Sequence, residues 1–572
     1  MQATAPATAK NETARPAATN PRPGFLFRLL PSLTDVAFLM PIVFLFARMQ
    51  GATSMLGDGD TGWHVRTGEW ILANGRVPRQ DMFSYTKAGQ PWYAWEWLWD
   101  VCFAWLYHHG GLATVVSASI LILCVTFALL YRLVRRHCEN PFLAMGATFL
   151  ACAGSTLHWL ARPHLLTLLL VVVLLMMLER VEQGKPRWLI AVPLLMVLWT
   201  NLHGGFFAAL IILGGFAAGH AAGALFTAEP EERRTAIRKV KWYAVTGFAA
   251  AAATLINPYT YHLHLHIYQF FSEPYHLENI NEFQSISFHS LMAAYLECSL
   301  LLGTLSAIWF VVKRRNFVPL VLLVGWAHLA LFSARNIPLF IIIAAPFVAE
   351  AVEQTLGSLE RARVSAWVGR WLSAFRTVGQ EFGETDRPWR IHAISAAAIA
   401  IIALLIASPA ATGKLKPEYD PKRYPAQALK VLRADPNSRI FTDDEWGDYL
   451  VYNLYPGHKV FVDGRSDFYG QDFEQKYLDL MNVKYDWEQY LEKYKVDTIV
   501  LSTTTALAST VKESPNWRVV YDDTVAIVFR REPLSEHQQF STAVRGKKSD
   551  PRISTVERPA TRIIPVKRTK GV

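Results

Sequence analysis

The chain has 572 residues, of which 52% are hydrophobic and 18% charged, against about a quarter charged in soluble domains. Its apolar residues are bunched rather than periodic, which excludes an ordinary soluble protein and points to a chain that crosses a membrane many times. The formal charge of +10 does not indicate a nucleic-acid partner, because Lys and Arg stand in short clusters at the ends of apolar runs, as membrane topology demands.

Residues 1–24 are rich in Ala, Thr and Pro and are expected to form a disordered cytoplasmic tail, with the apolar run that follows acting as an uncleaved anchor. After that anchor comes a long polar loop, placed at 51–111. Its stretch Gly57–Trp99 holds Asp58 and Asp60 at i and i+2, then His64, Arg66, Glu69, Arg79 and Glu96, together with six tryptophans. Charge and indole this dense beside a span suit an amphipathic segment in the membrane interface, where the indole keeps its N–H in water and its ring in acyl chain. The loop therefore reads as the working surface.

Runs long enough to cross, with shorter ones allowed inside a bundle, lie near 33–49, 112–131, 141–160, 164–179, 188–201, 204–225, 242–256, 291–312, 317–333, 337–352 and 392–410. These eleven predict an α-helical polytopic membrane domain over 25–410. The five cysteines all fall in or at the ends of such runs, so neither a disulfide framework nor a thiolate metal site is expected. Basic clusters at Arg132–Arg136, Arg180–Arg187, Arg233–Lys241, Lys313–Arg315 and Arg361–Arg390 alternate with loops poor in Lys and Arg, and Asn257–Ser290 has neither. Positive charge marks the cytoplasmic side. The loop 51–111 and the chain's C-terminal part are thereby placed outside, and the protein in the cytoplasmic (inner) membrane with its N-terminus inside.

Polar groups gather at the outward ends of these spans: Arg162 and His164 in ARPHLL, Asn201 and His203 in WTNLHGG, Glu278 and Glu282 in HLENINEFQS, Arg335 and Asn336 in SARNIPLF. Such groups are costly there unless they face a wet cavity or each other. All are expected on the same side as Asp58 and Asp60. Histidines 64, 164 and 203 come from different loops without metal-ligand spacing, and the alternating histidines of HLHLHIY spread around a helix as interfacial packing.

Residues 411–535 have soluble composition, with short apolar strands (RIFTDD, KVFVDGR, VDTIVLS, WRVVYDD, VAIVFRR) alternating with helical stretches, and predict a small α/β domain. Asp443, Asp444, Asp463 and Asp467 read as helix caps and turn formers, or as binding groups at strand ends. The tail 536–572 is basic and expected to be disordered.

An acidic pair in the first outer loop, interfacial helices in that loop, a many-span bundle and a soluble C-terminal domain on the same face together resemble the GT-C superfamily of glycosyltransferases. These include protein O-mannosyltransferases, the lipid A aminoarabinose transferase and the catalytic subunit of oligosaccharyltransferase. The GDGDTGWHVRTGE and DGRSD stretches look most like a large bacterial group of mostly unassigned substrate. The resemblance implies an inverting transfer of a sugar from a polyprenyl-phosphate donor, on the extracytoplasmic face, to a glycan, lipid or protein acceptor, with membrane lipid as a further partner. It implies Asp60 as base with Asp58 next, Arg162 and Arg335 as phosphate clamps, and His64, Arg66, His164, Asn201 and His203 as further substrate contacts. Glu96 or Glu282 would orient the acceptor, and the aspartate pair suits either a raised carboxyl pKa or Mg²⁺ or Mn²⁺. A transporter or flippase for a lipid-linked substrate and a non-catalytic envelope scaffold are the alternative classes.

Overall fold

The structure, a computed structural model, describes residues 25–362, 365–386 and 390–532, so the tails expected at 1–24 and 536–572 lie outside the described residues. The chain is mostly helical. Each of the eleven predicted segments contains a helix. Among the described residues, six helical stretches are long and apolar enough to cross a membrane: Phe25–Arg48, Trp97–His137, His164–Glu182, Gly204–Phe226, Ala293–Arg314 and Ala334–Arg361. Pro186–Leu202, Val318–Phe332 and Ala393–Ala407 are apolar but shorter. The other two predicted spans correspond to the helices Pro141–Ser155 and Pro230–Ala253.

The second predicted span begins earlier than its apolar run. Helix Trp97–His137 starts inside the outer loop and is broken at Gly110 and Gly111, where Gly111 takes φ 61°. A left-handed residue is strained for anything but glycine. The Thr114 hydroxyl bridges the break by donating to the carbonyls of Leu106 (2.6 Å) and Gly111 (2.9 Å). The loop's last helix is thereby set at an angle to the span it leads into.

Near the other terminus, four strands form one sheet in the order β1 (Ile440–Phe441), β2 (Thr498–Ser502), β4 (Ala526–Arg531), β3 (Trp517–Asp522). The β1–β2 pair is parallel and the other pairs are antiparallel. The stretch KVFVDGR, expected as a strand, contributes single bridges at Val460, one to Ile440 and one to Ser84 of the outer loop. Tyr85 N–H donates to the Val460 carbonyl and Val460 N–H to the Phe83 carbonyl, each at 3.0 Å. The outer loop thus supplies the sheet's edge, which would otherwise present unpaired backbone groups.

The same junction is held by a buried ion-pair cluster. Arg465 places Nη2 2.6 Å from Asp81 in the outer loop and 2.7 Å from Asp463, with Phe83, Trp92 and Phe468 around its guanidinium. Outer loop and C-terminal region therefore pack as one body on one end of the bundle.

Candidate active site

The motif GDGDTG opens the helix Asp60–Asn74, which ends at Gly75 in the left-handed conformation with its N–H on the Ile71 carbonyl. Its glycines permit contact that any side chain would block. A Cβ on Gly59 would lie 2.5 Å from the Glu445 carbonyl oxygen, one on Gly62 2.7 Å from Tyr452 Cβ, and one on Gly68 1.9 Å from the Asp100 carbonyl oxygen. The helix Asp444–Leu454 of the C-terminal region can therefore lie directly on the backbone that carries Asp58 and Asp60. The acidic group at the first turn of Asp60–Asn74 also meets the positive end of the helix dipole.

Arg162 stands at the centre. Its Nη1 is 2.8 Å from Asp58 Oδ2 and 3.0 Å from Glu282 Oε1, and its Nη2 is 2.5 Å from Asp60 Oδ2. Arg335 Nε lies 3.4 Å from Glu282 Oε2, and no hydrogen bond from its terminal nitrogens occurs among the described residues. The turns carrying these last two residues are tied together: Ser333 donates its hydroxyl to the Glu282 carbonyl (2.9 Å), and Ala334 N–H donates to Gln284 (2.9 Å). For Glu282 burial works against the charge, yet Arg162 and Arg335 overcome it and hold the carboxyl well below the usual range. Asp58 goes the other way. Burial, helped by Asp60 and Glu282 and opposed by Arg162, pushes it up to about 7, and its Oδ1 is buried without a hydrogen-bond partner.

Glu96 lies deeper, between two histidines. Its oxygens are 3.6 Å from His64 Nε2 and 3.5 Å from His203 Nε2, beyond hydrogen-bonding distance. Burial pushes its carboxyl up to about 8, against the pull of Arg162 and Arg335. His64 Nδ1 is 2.6 Å from Asp100 Oδ1, and His203 Nδ1 is 2.7 Å from the Thr167 hydroxyl, so both rings are oriented from behind. His64 is held well below its ordinary pKa by burial and by Arg162, which keeps it neutral.

These groups line one cavity of about 980 Å³. Its wall includes Asp58, Asp60, His64, Glu96, Arg162, His164, His203, Glu282 and Arg335, nine of the expected site residues brought together from distant loops. Arg66 and Asn201 are not among them. Arg66 is spent on Glu69 (2.6 Å), the Tyr452 carbonyl and the Tyr107 and Tyr452 rings. Asn201 accepts from Trp97 Nε1 (2.8 Å) and donates to the Val197 and Ile256 carbonyls, so it joins elements behind the wall. From the bundle the cavity is lined by Leu168, Phe207, Ile211, Trp326 and Leu339, an apolar groove below the charged centre.

Asp448 was not singled out by the sequence reading. It sits on the helix Asp444–Leu454, accepts from Gly464 N–H at 2.9 Å, and faces Asp60. The signal was its place one turn after Asp444 in DDEWGD, but only the tertiary contact separates it from the cap residues beside it. Asp443 caps that helix by accepting from Trp446 N–H (2.9 Å), Asp463 pairs with Arg465, and Asp467 lies 2.9 Å from His266 of HLHLHIY.

The carboxylates offer the oxygen donors that a hard divalent cation takes. Their arrangement does not suit one, because the guanidinium of Arg162 occupies the point on which Asp58, Asp60 and Glu282 converge. Among the described residues no group of three His, Cys, Asp or Glu side chains is placed to hold a metal, and this includes His64, His164 and His203.

A helical bundle with spanning-length apolar helices, an acidic loop on one end and a small sheet packed over it defines the architecture. No protein-family model matches the chain, and no curated protein does so significantly. Among solved structures, the fold is similar to that of the Archaeoglobus fulgidus oligosaccharyltransferase. Its apo form aligns with a TM-score of 0.50 at 12% identity, covering 82% of this chain and 69% of that one. Its complex with Zn and sulfate aligns with a TM-score of 0.47 at 13% identity, covering 88% and 73%. The likeness is one of fold.

Proposed function

We propose that this chain is a membrane glycosyltransferase that moves a sugar from a polyprenyl-phosphate donor to an acceptor hydroxyl or amide on the extracytoplasmic face of the cytoplasmic membrane. One observation carries the reading: a single cavity joins an apolar groove in the bundle to a cluster of carboxylates and arginines at its end. A lipid-linked phosphosugar needs both at once. The basic clusters at the opposite loop ends support the sidedness.

In this reading the prenyl chain lies along Leu168, Phe207 and Ile211, and the donor phosphate meets the terminal nitrogens of Arg335. Asp58 is the better-placed base. Both aspartates rest one oxygen on Arg162, but Asp60 faces Asp448 with its carboxyl, whereas Asp58 Oδ1 has no hydrogen-bond partner and burial pushes that carboxyl up to about 7. The acceptor proton passes to Asp58, the acceptor atom bonds to the anomeric carbon, and the carbon–oxygen bond to phosphate breaks. The leaving electron pair resides on the phosphate, where Arg335 stabilises it. Neutral His64 and His203, with Glu96, offer hydrogen bonds to sugar hydroxyls.

The test is a deletion strain complemented with wild type, Asp58→Asn or Asp60→Asn, with envelope glycans and glycoproteins read by mass spectrometry. A glycan lost on deletion, restored by wild type and absent with normally expressed Asp58→Asn, supports transfer and names the product. Full restoration by both variants would overturn it.

A further inference from the structure

We propose that Arg162 stands in the place of a divalent cation at this site, an internal organic cation that clamps Asp58, Asp60 and Glu282 and makes the centre independent of metal. The inference rests on the glycosyl-transfer reading of the same cavity and adds the nature of the countercharge that holds its carboxylates.

Three observations carry it. The first is the donor geometry: one guanidinium reaches carboxylates from two separate loops, Asp58 and Glu282 through Nη1 and Asp60 through Nη2, at 2.5 to 3.0 Å. A planar fork of N–H donors is suited to several carboxylates at once, as a lysine ammonium on its flexible stem is not. The second is that the backbone sets this position independently of the carboxylates. Thr61 donates its hydroxyl to the Ala161 carbonyl (3.1 Å), Ala161 N–H donates to the Met55 carbonyl (2.7 Å), and Leu165 N–H donates to the Arg162 carbonyl (3.2 Å) at the start of the following helix. The residue before the arginine is thus tied to the loop that carries both aspartates. The third is the charge around it. Arg335 already faces Glu282 from the other side, so a divalent ion would have to enter between two guanidinium groups. Arg162 touches no reacting atom in this arrangement. It acts through Asp58 and is a positioning residue.

The closing experiment titrates Mn²⁺ into the purified full-length protein in detergent, read by electron paramagnetic resonance and by thermal melting. Wild type is expected to bind no stoichiometric Mn²⁺, and its melting temperature to be unmoved by chelator. Arg162→Met leaves the carboxylates without their countercharge and is expected to bind one Mn²⁺ per chain, at least about tenfold tighter than wild type. That binding should raise the variant's melting temperature and vanish in Arg162→Met with Asp60→Asn. Arg162→Lys should bind Mn²⁺ no better than wild type. If Arg162→Met does not fold, the wild-type titration decides alone. Stoichiometric Mn²⁺ on wild type, lost in Asp58→Asn or Asp60→Asn, overturns the proposal, as does an Arg162→Met protein that folds but gains no site. Glycosyl transfer by wild type is unaffected by either result, so the two readings fail separately.

Discussion

The carboxyl groups of Asp60 and Asp448 converge on Gly464: a Cβ built there would lie 2.7 Å from Asp60 Oδ1 and 2.4 Å from Asp448 Oδ2. The outer loop and the C-terminal region therefore meet at the centre of the cavity, and the glycine is what lets them. Gly464→Ala should force the two apart, destabilising the protein by about 1–3 kcal/mol. Melting of the purified full chain measures this, and an unchanged melting temperature with unchanged transfer would contradict the contact.

In the proposed role of base, Asp58, pushed up to about 7 by burial, should set the pH dependence of transfer. As a base it works only when deprotonated, so the rate should climb with pH through about 7 and level above it. Asp58→Asn should lower the rate by about 10²–10⁴ and abolish that limb. A variant that keeps the limb would assign it to another group.

Glu96, held up at about 8 by burial, gives a stability signature of the opposite sense. Its carboxyl binds a proton more tightly folded than unfolded, so its contribution is present at low pH. It is lost as pH rises from the ordinary value near 4.5 towards 8. The slope from one such group is at most about 1.4 kcal/mol per pH unit. Glu96→Gln should flatten the fall in melting temperature over this window, and parallel profiles for the two proteins would rule the assignment out.

Arg465 is buried between Asp81 and Asp463. Arg465→Met leaves two buried carboxylates without a partner and should cost about 3–5 kcal/mol of stability. Denaturation of the full chain tests this, and a loss below about 1 kcal/mol would show the pair to be wet.

Variants of Arg335 and Arg66 should separate the proposed phosphate contact from packing. Arg335→Ala should raise the KM for the lipid-linked donor and lower kcat/KM by at least tenfold, corresponding to about 1.4 kcal/mol or more. Arg66→Ala, outside the cavity, should leave both near wild type while loosening the contact with Tyr452. Equal effects on transfer would mean that the cavity wall is wrongly drawn.

Much of this site was legible because membranes make polarity informative. Arg162, His203, Glu282 and Arg335 stood out as charges or imidazoles at the ends of apolar runs and Asp58 as half of the acidic pair in the outer loop, and the fold brings them to one cavity. Asn201 stood out as a polar group at a span end and Arg66 as a charge in the outer loop, but both satisfy their donors in the scaffold, which composition cannot distinguish. Asp448 and Arg465 were hidden by ordinary soluble surroundings, where an aspartate near a helix start reads as a cap. Their role in the junction depends on pairings with residues far away in the chain, and the same is true of KVFVDGR. Its expected strand is reduced to bridges at Val460 alone, because one of its two partners is a loop, not another strand.

The backbone bridge between Ser84 and Val460 has a consequence for how the protein is made. Nearly the whole bundle is synthesised between these two residues. The outer loop must wait with an open edge until the last part of the chain emerges, and the cavity wall contributed by Gly464 and Asp448 does not exist before then. A ribosome stalled after the final apolar helix leaves a bundle in the membrane with half a site. The full cavity wall therefore forms only after residue 464 has been made.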